Sequence, residues 1–279
     1  MATLEREPGL LRLAHCLENS ACIAVLAVMS ALPLVHVIAR EWLGSGLPGS
    51  IVVVQHLTMW ISFLGAMLAA RSDRLLALST TEFLPSTWRS TVNVAMGLLA
   101  VAITAGLCIA SAQLVLIDRS FGDRAAWGIP VWIFTAVMPV AFVVITLRLI
   151  WHSAQSWRGR AVAATGVLLV LIAALLPDAI VQALVVPVLL TISASVLLGA
   201  PIFAALGGAA LILFAVEGTP ISAVPGEAYR MSTSAMLPAI PLFTLAGYLL
   251  AEGGASRRLL RLFNAVIGWM PGGIAIVVT

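Results

Sequence analysis

The chain has 279 residues, 61% of them apolar and 10% charged, with a formal net charge of +3; this leaves too little polar surface to solvate a soluble domain of that size. It contains no lysine, and its arginines stand between apolar runs, a pattern that orients a chain across lipid rather than binding nucleic acid. Cys16, Cys22 and Cys108 show no CxxC or Cys/His pairing, so neither a disulfide framework nor a metal site is indicated.

Eight intervals contain no Asp, Glu, Lys or Arg; seven run 17 to 29 residues, and the eighth, Ala179 to Val216, has room for two crossings. A hydrocarbon core of roughly 30 Å takes about 20 helical residues. The predicted fold class is therefore all-α: a polytopic integral membrane protein of about nine transmembrane helices. The charged N-terminus precedes a run too long for a signal-peptide core, so that run reads as a retained first helix.

In chain order, the first span is predicted from Asn19 to Ala39, the second from Ser50 to Ala70 after the turn GSGLPG (residues 44–49), and the third from Ser90 to Ile117. The fourth runs from Ala125 to Leu147, with kinks expected at Pro130 and Pro139. A polar connector, His152 to Arg160, marks a module boundary. The fifth span, Ala161 to Pro177, is charge-free and lacks an ordered polar pattern, so it reads as a topological adaptor whose crossing matters more than its sequence. The sixth (Ala179–Leu198) and seventh (to Val216) are separated by Gly199-Ala200-Pro201. Glu217 to Arg230 reads as a loop. The eighth segment, Met231 to Ala251, contains Pro238 and Pro241: either it is one kinked helix, the reading the residues favour, or it is broken within the membrane, as solute carriers often arrange. The ninth begins near Leu262.

With the N-terminus inside, 11 arginines fall on the inner side and 4 (Arg40, Arg119, Arg124 and Arg230) on the outer. The positive-inside rule selects that orientation, a cytoplasmic N-terminus.

GSGLPG satisfies GxGxxG, but it follows a membrane helix and contains Pro48, so it reads as an interhelical turn rather than a phosphate loop. His36, Gln55 and His56 lie near the outer face and are expected to pack or hydrogen-bond rather than relay protons. Thr191, Ser193, Ser195, Ser232, Thr233 and Ser234 are expected to bond backbone, and Gly65 with Ala69 reads as a helix-packing seam. No catalytic residues are found, and no enzyme is indicated.

The segments GAPIFAALGGAALILF, AIPLFTLAGYLLAEGGASRRLL and GWMPGGIAIVVT resemble the N-terminal part of the large membrane (M) subunit of tripartite ATP-independent periplasmic (TRAP) transporters. Gly199, Pro201, Pro241, Gly247, Gly253, Gly254, Gly272 and Gly273 carry the match, expected to be structural. Residues 19–150 resemble the small (Q) subunit, through Arg40 closing span one, MWISFLGAMLAAR and GIPVWIFTAVMP. Gln55 and Arg74-Leu75 depart from the acid and the histidine that Q chains commonly carry in those neighbourhoods.

The resemblance implies three parts: a Q-like four-helix module (1–156), a linking helix (157–178) and the start of an M-like permease (179–279). It further implies an inner-membrane component of an ion-gradient-driven importer of organic acids, dicarboxylates among them, served by a periplasmic binding protein and by the remainder of the M permease. Sodium or a proton would be the coupling ion, with no other cofactor. The substrate and ion sites are expected beyond Thr279, so substrate-binding residues stay unknown. A non-transporting scaffold or accessory subunit remains the alternative.

Overall fold

The computed structural model describes residues 9–77, 86–153, 156–173, 175, 177–254, 258, 261, 262 and 265. The described residues contain helices and no β-strand, only two isolated bridges. They divide into two compact units, one ending at Thr233 and the other starting at Ser234.

The first unit holds nine α-helices among its described residues, besides a 3-10 turn at Ala126–Gly128: α1 (Gly9–Leu43), α2 (Ser50–Arg71), α3 (Ser86–Phe121), α4 (Val131–Thr135), α5 (Val137–His152), α6 (Trp157–Ala173), α7 (Asp178–Leu197), α8 (Ile202–Val216) and α9 (Ala223–Ser232). Arg12–Trp42, Ser50–Arg71, Thr91–Phe121, Val131–His152 and Ile180–Leu197 are long and apolar enough to cross a membrane. Large apolar side chains such as Ile23, Leu34 and Ile38 on α1 and Val186, Leu190 and Leu197 on α7 point outward. Patches of that kind suit lipid, where backbone polar groups must already be paired inside helices.

Three cores join the helices. Val25, Leu64, Met67, Ala141 and Ile145 tie α1, α2 and α5 together; Ala100, Ile103 and Leu107 of α3 meet Ile192 of α7 and Ala204 and Ala205 of α8. Met59, Phe134, Val137 and Met138 form the third. Helix α3 lies between the two halves of the chain, close to α8 because Gly207 and Gly208 present no side chain. A Cβ at Gly208 would fall 2.7 Å from Ile103 Cδ1, and one at Gly207 2.7 Å from Leu107 Cδ1.

Several expectations change. Span four is interrupted at Ala136: Pro139 has no N–H for the Thr135 carbonyl one turn earlier, while Pro130 stands before α4 in extended backbone rather than kinking it. The adaptor helix has an ordered packing face after all, because Gly159, Ala163 and Gly166 are buried, and a Cβ on Gly166 would lie 2.5 Å from the Leu98 carbonyl oxygen of α3. Residues 223–232 form α9 where a loop is predicted.

In the second unit, the eighth segment does not run as one kinked helix from Met231. Met231 and Ser232 end α9, turns follow, and α10 occupies Ala239–Glu252. Its 14 residues span about 21 Å at 1.5 Å each, short of a crossing. The ninth span lies outside the described residues except at isolated positions.

Candidate functional site

The polar side chains gather at the two ends of the first unit. At one end, Arg148 of α5 donates to Glu18 Oε1 of α1 at 2.5 Å and also to the Met67 carbonyl of α2. Arg71, at the end of α2, bonds Asn19 Oδ1 at 3.1 Å and stands 3.6 Å from Glu18 Oε2. These charges are largely enclosed, the Glu18 side chain being 13% exposed. One carboxylate between two guanidiniums therefore holds α1, α2 and α5 at a common height. At the same end, the Gly199–Pro201 turn meets the segment after α2. Ile202 N–H donates to the Leu76 carbonyl at 3.0 Å, and Pro201 bridges Ala77. Gly199 has φ +93°, a conformation that favours glycine.

At the opposite end, the interruption before Pro139 arranges a second cluster. The Trp60 indole donates to the Phe134 carbonyl at 3.0 Å, and Thr135 Oγ1 donates to Asp118 Oδ2 of α3 at 2.9 Å. The Phe134 ring lies 4.4 Å from that of His56, which is buried. His56 Nδ1 is 2.7 Å from the Val52 carbonyl and Nε2 is 2.8 Å from Tyr229 Oη of α9. Burial, and after it the Asp118 charge, pushes the Tyr229 hydroxyl above its ordinary pKa. The phenol therefore keeps its proton at neutral pH and remains a donor.

The other predicted groups take structural places. His36 closes the GSGLPG turn, with Nδ1 2.7 Å from Ser50 Oγ, which itself donates to Leu47 O at 2.9 Å. A Cβ at Gly46 would strike the His36 ring at 2.5 Å. Thr191, Ser193 and Ser195 bond their own helix backbone, as does Thr233. Nothing lies within 4 Å of a Cβ built on Gly65 or Gly247, and Gly254 takes φ +68° just beyond α10. Pro241 stands in the first turn of α10, where its missing N–H costs no helical bond; Gly253 follows that helix and donates to Leu249 O. Gly272 and Gly273 lie outside the described residues.

Sequence reasoning missed Glu18, Asp118, Thr135 and Tyr229. Glu18 has a visible signal: a single acid at the edge of a charge-free run, with Arg71 and Arg148 at the matching edges of spans two and four. Tyr229 gives none, because its partner is 173 positions away.

Two polar clusters, the apolar packing of α3 against α7 and α8, and the long apolar helices describe a multi-helix membrane protein. The family model for tripartite ATP-independent periplasmic transporters, DctQ component, matches residues 14–159, more than half of the chain, and the DctM component model matches residues 188–279. The chain belongs to the TRAP transporter family and fuses its Q and M components.

Among curated proteins it is similar to the isethionate TRAP transporter permease protein DctMQ of Oleidesulfovibrio alaskensis, 29% identical over 224 residues that cover 78% of this chain and 35% of that protein. The uncharacterized protein YgiK of Salmonella typhimurium is 35% identical over 80 residues, 28% of this chain and 18% of that one. The chain thus spans about a third or less of the curated relatives it matches.

Proposed function

We propose that this chain is the Q-like scaffold and the opening of the M-like carrier of an ion-gradient-driven importer of organic acids. It works in the bacterial inner membrane with its N-terminus cytoplasmic and receives solute from a periplasmic binding protein. The Arg148–Glu18–Arg71 end faces the cytoplasm and the His56–Tyr229 end the periplasm. The observation that carries the reading is the conjunction of a DctQ match and a DctM match in one chain, meeting along α3. The reading is that of a transporter component and not of an enzyme.

Supporting it, α10 buries none of its residues, and Ile240, Phe243, Tyr248, Leu249 and Leu250 are exposed. We assign that face to the rest of the M permease, which also carries the substrate and ion sites. The class of solute, small organic acids, is consistent with the isethionate in the relative's name; sodium is the expected coupling ion and dicarboxylates are further candidate solutes. Residues 1–156, 157–178 and 179–279 are the three proposed parts.

Proteoliposomes test the reading. The 279-residue chain with a cognate binding protein should give no gradient-driven uptake. A chain extended by the missing M sequence should take up a carboxylated or sulfonated solute and stop when the sodium gradient is dissipated. Uptake by the short chain would overturn the placement of the sites, and a folded extended chain inactive across a broad organic-acid panel would favour the scaffold alternative.

A further inference from the structure

His56 belongs to the DctQ-matched segment and Tyr229 to the DctM-matched one, and the buried His56 ring meets the half-buried Tyr229 hydroxyl at 2.8 Å. The direction of that hydrogen bond follows from the other ring nitrogen. Nδ1 lies 2.7 Å from the Val52 carbonyl, which can only accept, so Nδ1 carries the proton. In the neutral ring Nε2 is then a bare lone pair. The phenol must donate to it.

The surroundings reinforce this arrangement. The tilted Phe134 ring at 4.4 Å covers the imidazole, and the Phe134 carbonyl, already held by Trp60, fixes that cover in place. Around Tyr229, α9 lies beside Leu114 of α3, whose Cδ1 would be 3.9 Å from a Cβ at Gly226, and Pro225 is buried. On the opposite face of α9, Glu227 and Arg230 form an exposed ion pair at 2.7 Å. Thus α9 is a short helix lying against the ends of α2 and α3, with one polar anchor on its covered side.

We propose that His56 and Tyr229 form the clasp that docks α9, the last helix of the first unit, onto the Q-like module. In it His56 is locked in the Nδ1–H tautomer as acceptor, and Tyr229 is the donor that positions the helix. Both are positioning residues; neither is proposed to touch solute. The clasp fixes α9 only four residues before the boundary at Thr233, so it holds the chain where the second unit begins. It stands on this geometry and not on the transport reading.

The tautomer is measurable in the intact chain, which has 4 histidines and 2 tyrosines. In lipid nanodiscs, nitrogen NMR of labelled histidine, assigned by single His→Gln substitutions, should show His56 neutral with the proton on Nδ1. Tyr229→Phe should move the Nε2 signal toward that of an unbonded base and leave Nδ1 in place. A proton on Nε2, or an Nε2 signal indifferent to Tyr229→Phe, would overturn the assignment.

Docking is read separately by the rate of tryptic cleavage after Arg230. His56→Leu and Tyr229→Phe should each speed it roughly five- to tenfold, about the worth of one hydrogen bond. The double variant should be no faster than the faster single. Effects that multiply in the double variant, or cleavage at the wild-type rate in both singles, would refute a shared clasp. Uptake by an extended chain is independent of both results, so a failed clasp and a failed transport reading are distinguishable.

Discussion

Replacing Gly166 sets two effects of similar size against each other. Alanine is about 1 kcal/mol better than glycine inside a helix. Its methyl carbon, however, would stand 2.5 Å from the Leu98 carbonyl oxygen and 3.0 Å from the Ala102 nitrogen, both backbone atoms of α3 that cannot rotate away. Ordinary carbon–oxygen contact is near 3.3 Å, so α6 must retreat by roughly 0.8 Å. A gap of that size forfeits a quarter to a half of each dispersion contact along the seam. Overpacking of this kind costs about 1–3 kcal/mol, and within a bilayer no hydrophobic driving force restores the contact.

The clash therefore wins narrowly for Gly166→Ala, by about 0–2 kcal/mol, and clearly for Gly166→Leu, at about 2–3 kcal/mol or more. Reversible unfolding in bicelles, followed by tryptophan fluorescence, should rank the chains wild type, Ala, Leu in falling stability. Leu169→Ala on the exposed face of α6 serves as the control and should stay close to wild type. A Gly166→Leu protein as stable as wild type would refute the close α3–α6 approach, and a Leu169→Ala loss as large as that of Gly166→Leu would mean the effect is not specific to the seam.

The remaining expectations concern charge. Glu18→Ala leaves Arg148 and Arg71 facing each other without their carboxylate, and breaking such an enclosed pair costs on the order of 3–5 kcal/mol; the same unfolding assay should show Glu18→Ala/Arg148→Met less destabilised than the sum of the single changes, and strict additivity would rule out the coupling. For orientation, single cysteines at Asp178 or Thr219 in a cysteine-free chain should react with an impermeant thiol reagent on intact cells while Ser156 and Ser256 stay unlabelled. Labelling at Ser156 but not Thr219 would invert the proposed topology.

What the sequence disclosed divides by the range of the interaction. Helices α2 and α8 end, and α7 begins, within one residue of an edge of a charge-free gap, because membrane cost acts on each segment separately. The break at residues 199–201 is likewise local, written in one glycine and one proline. Helix α9 was hidden because Pro220, Pro225 and Gly226 read as loop residues. In the fold Pro225 stands in the first helical turn, where it is tolerated, and Gly226 is simply carried within the helix. The Gly159, Ala163 and Gly166 face of α6 was present as small residues at helical spacing but has meaning only once α3 is known to lie opposite. The two polar clusters join residues from three helices and from four, and no spacing rule reaches that far.

The lengths of the helices bear on how lipid meets this protein. The charge-free stretch of α3, Ser90 to Ile117, has 28 residues, about 42 Å of helix against a roughly 30 Å hydrocarbon layer. It is also the most enclosed of the long spans, with 56% of its apolar window buried, against 11% for α1 and for α7. Those two outward helices carry apolar runs close to one bilayer thickness. Hydrophobic mismatch is thus concentrated on a strut that protein surrounds, while the rim offered to the lipid is matched. A thinner or thicker membrane would press on α1 and α7 and would leave the spine between the two components almost unaffected.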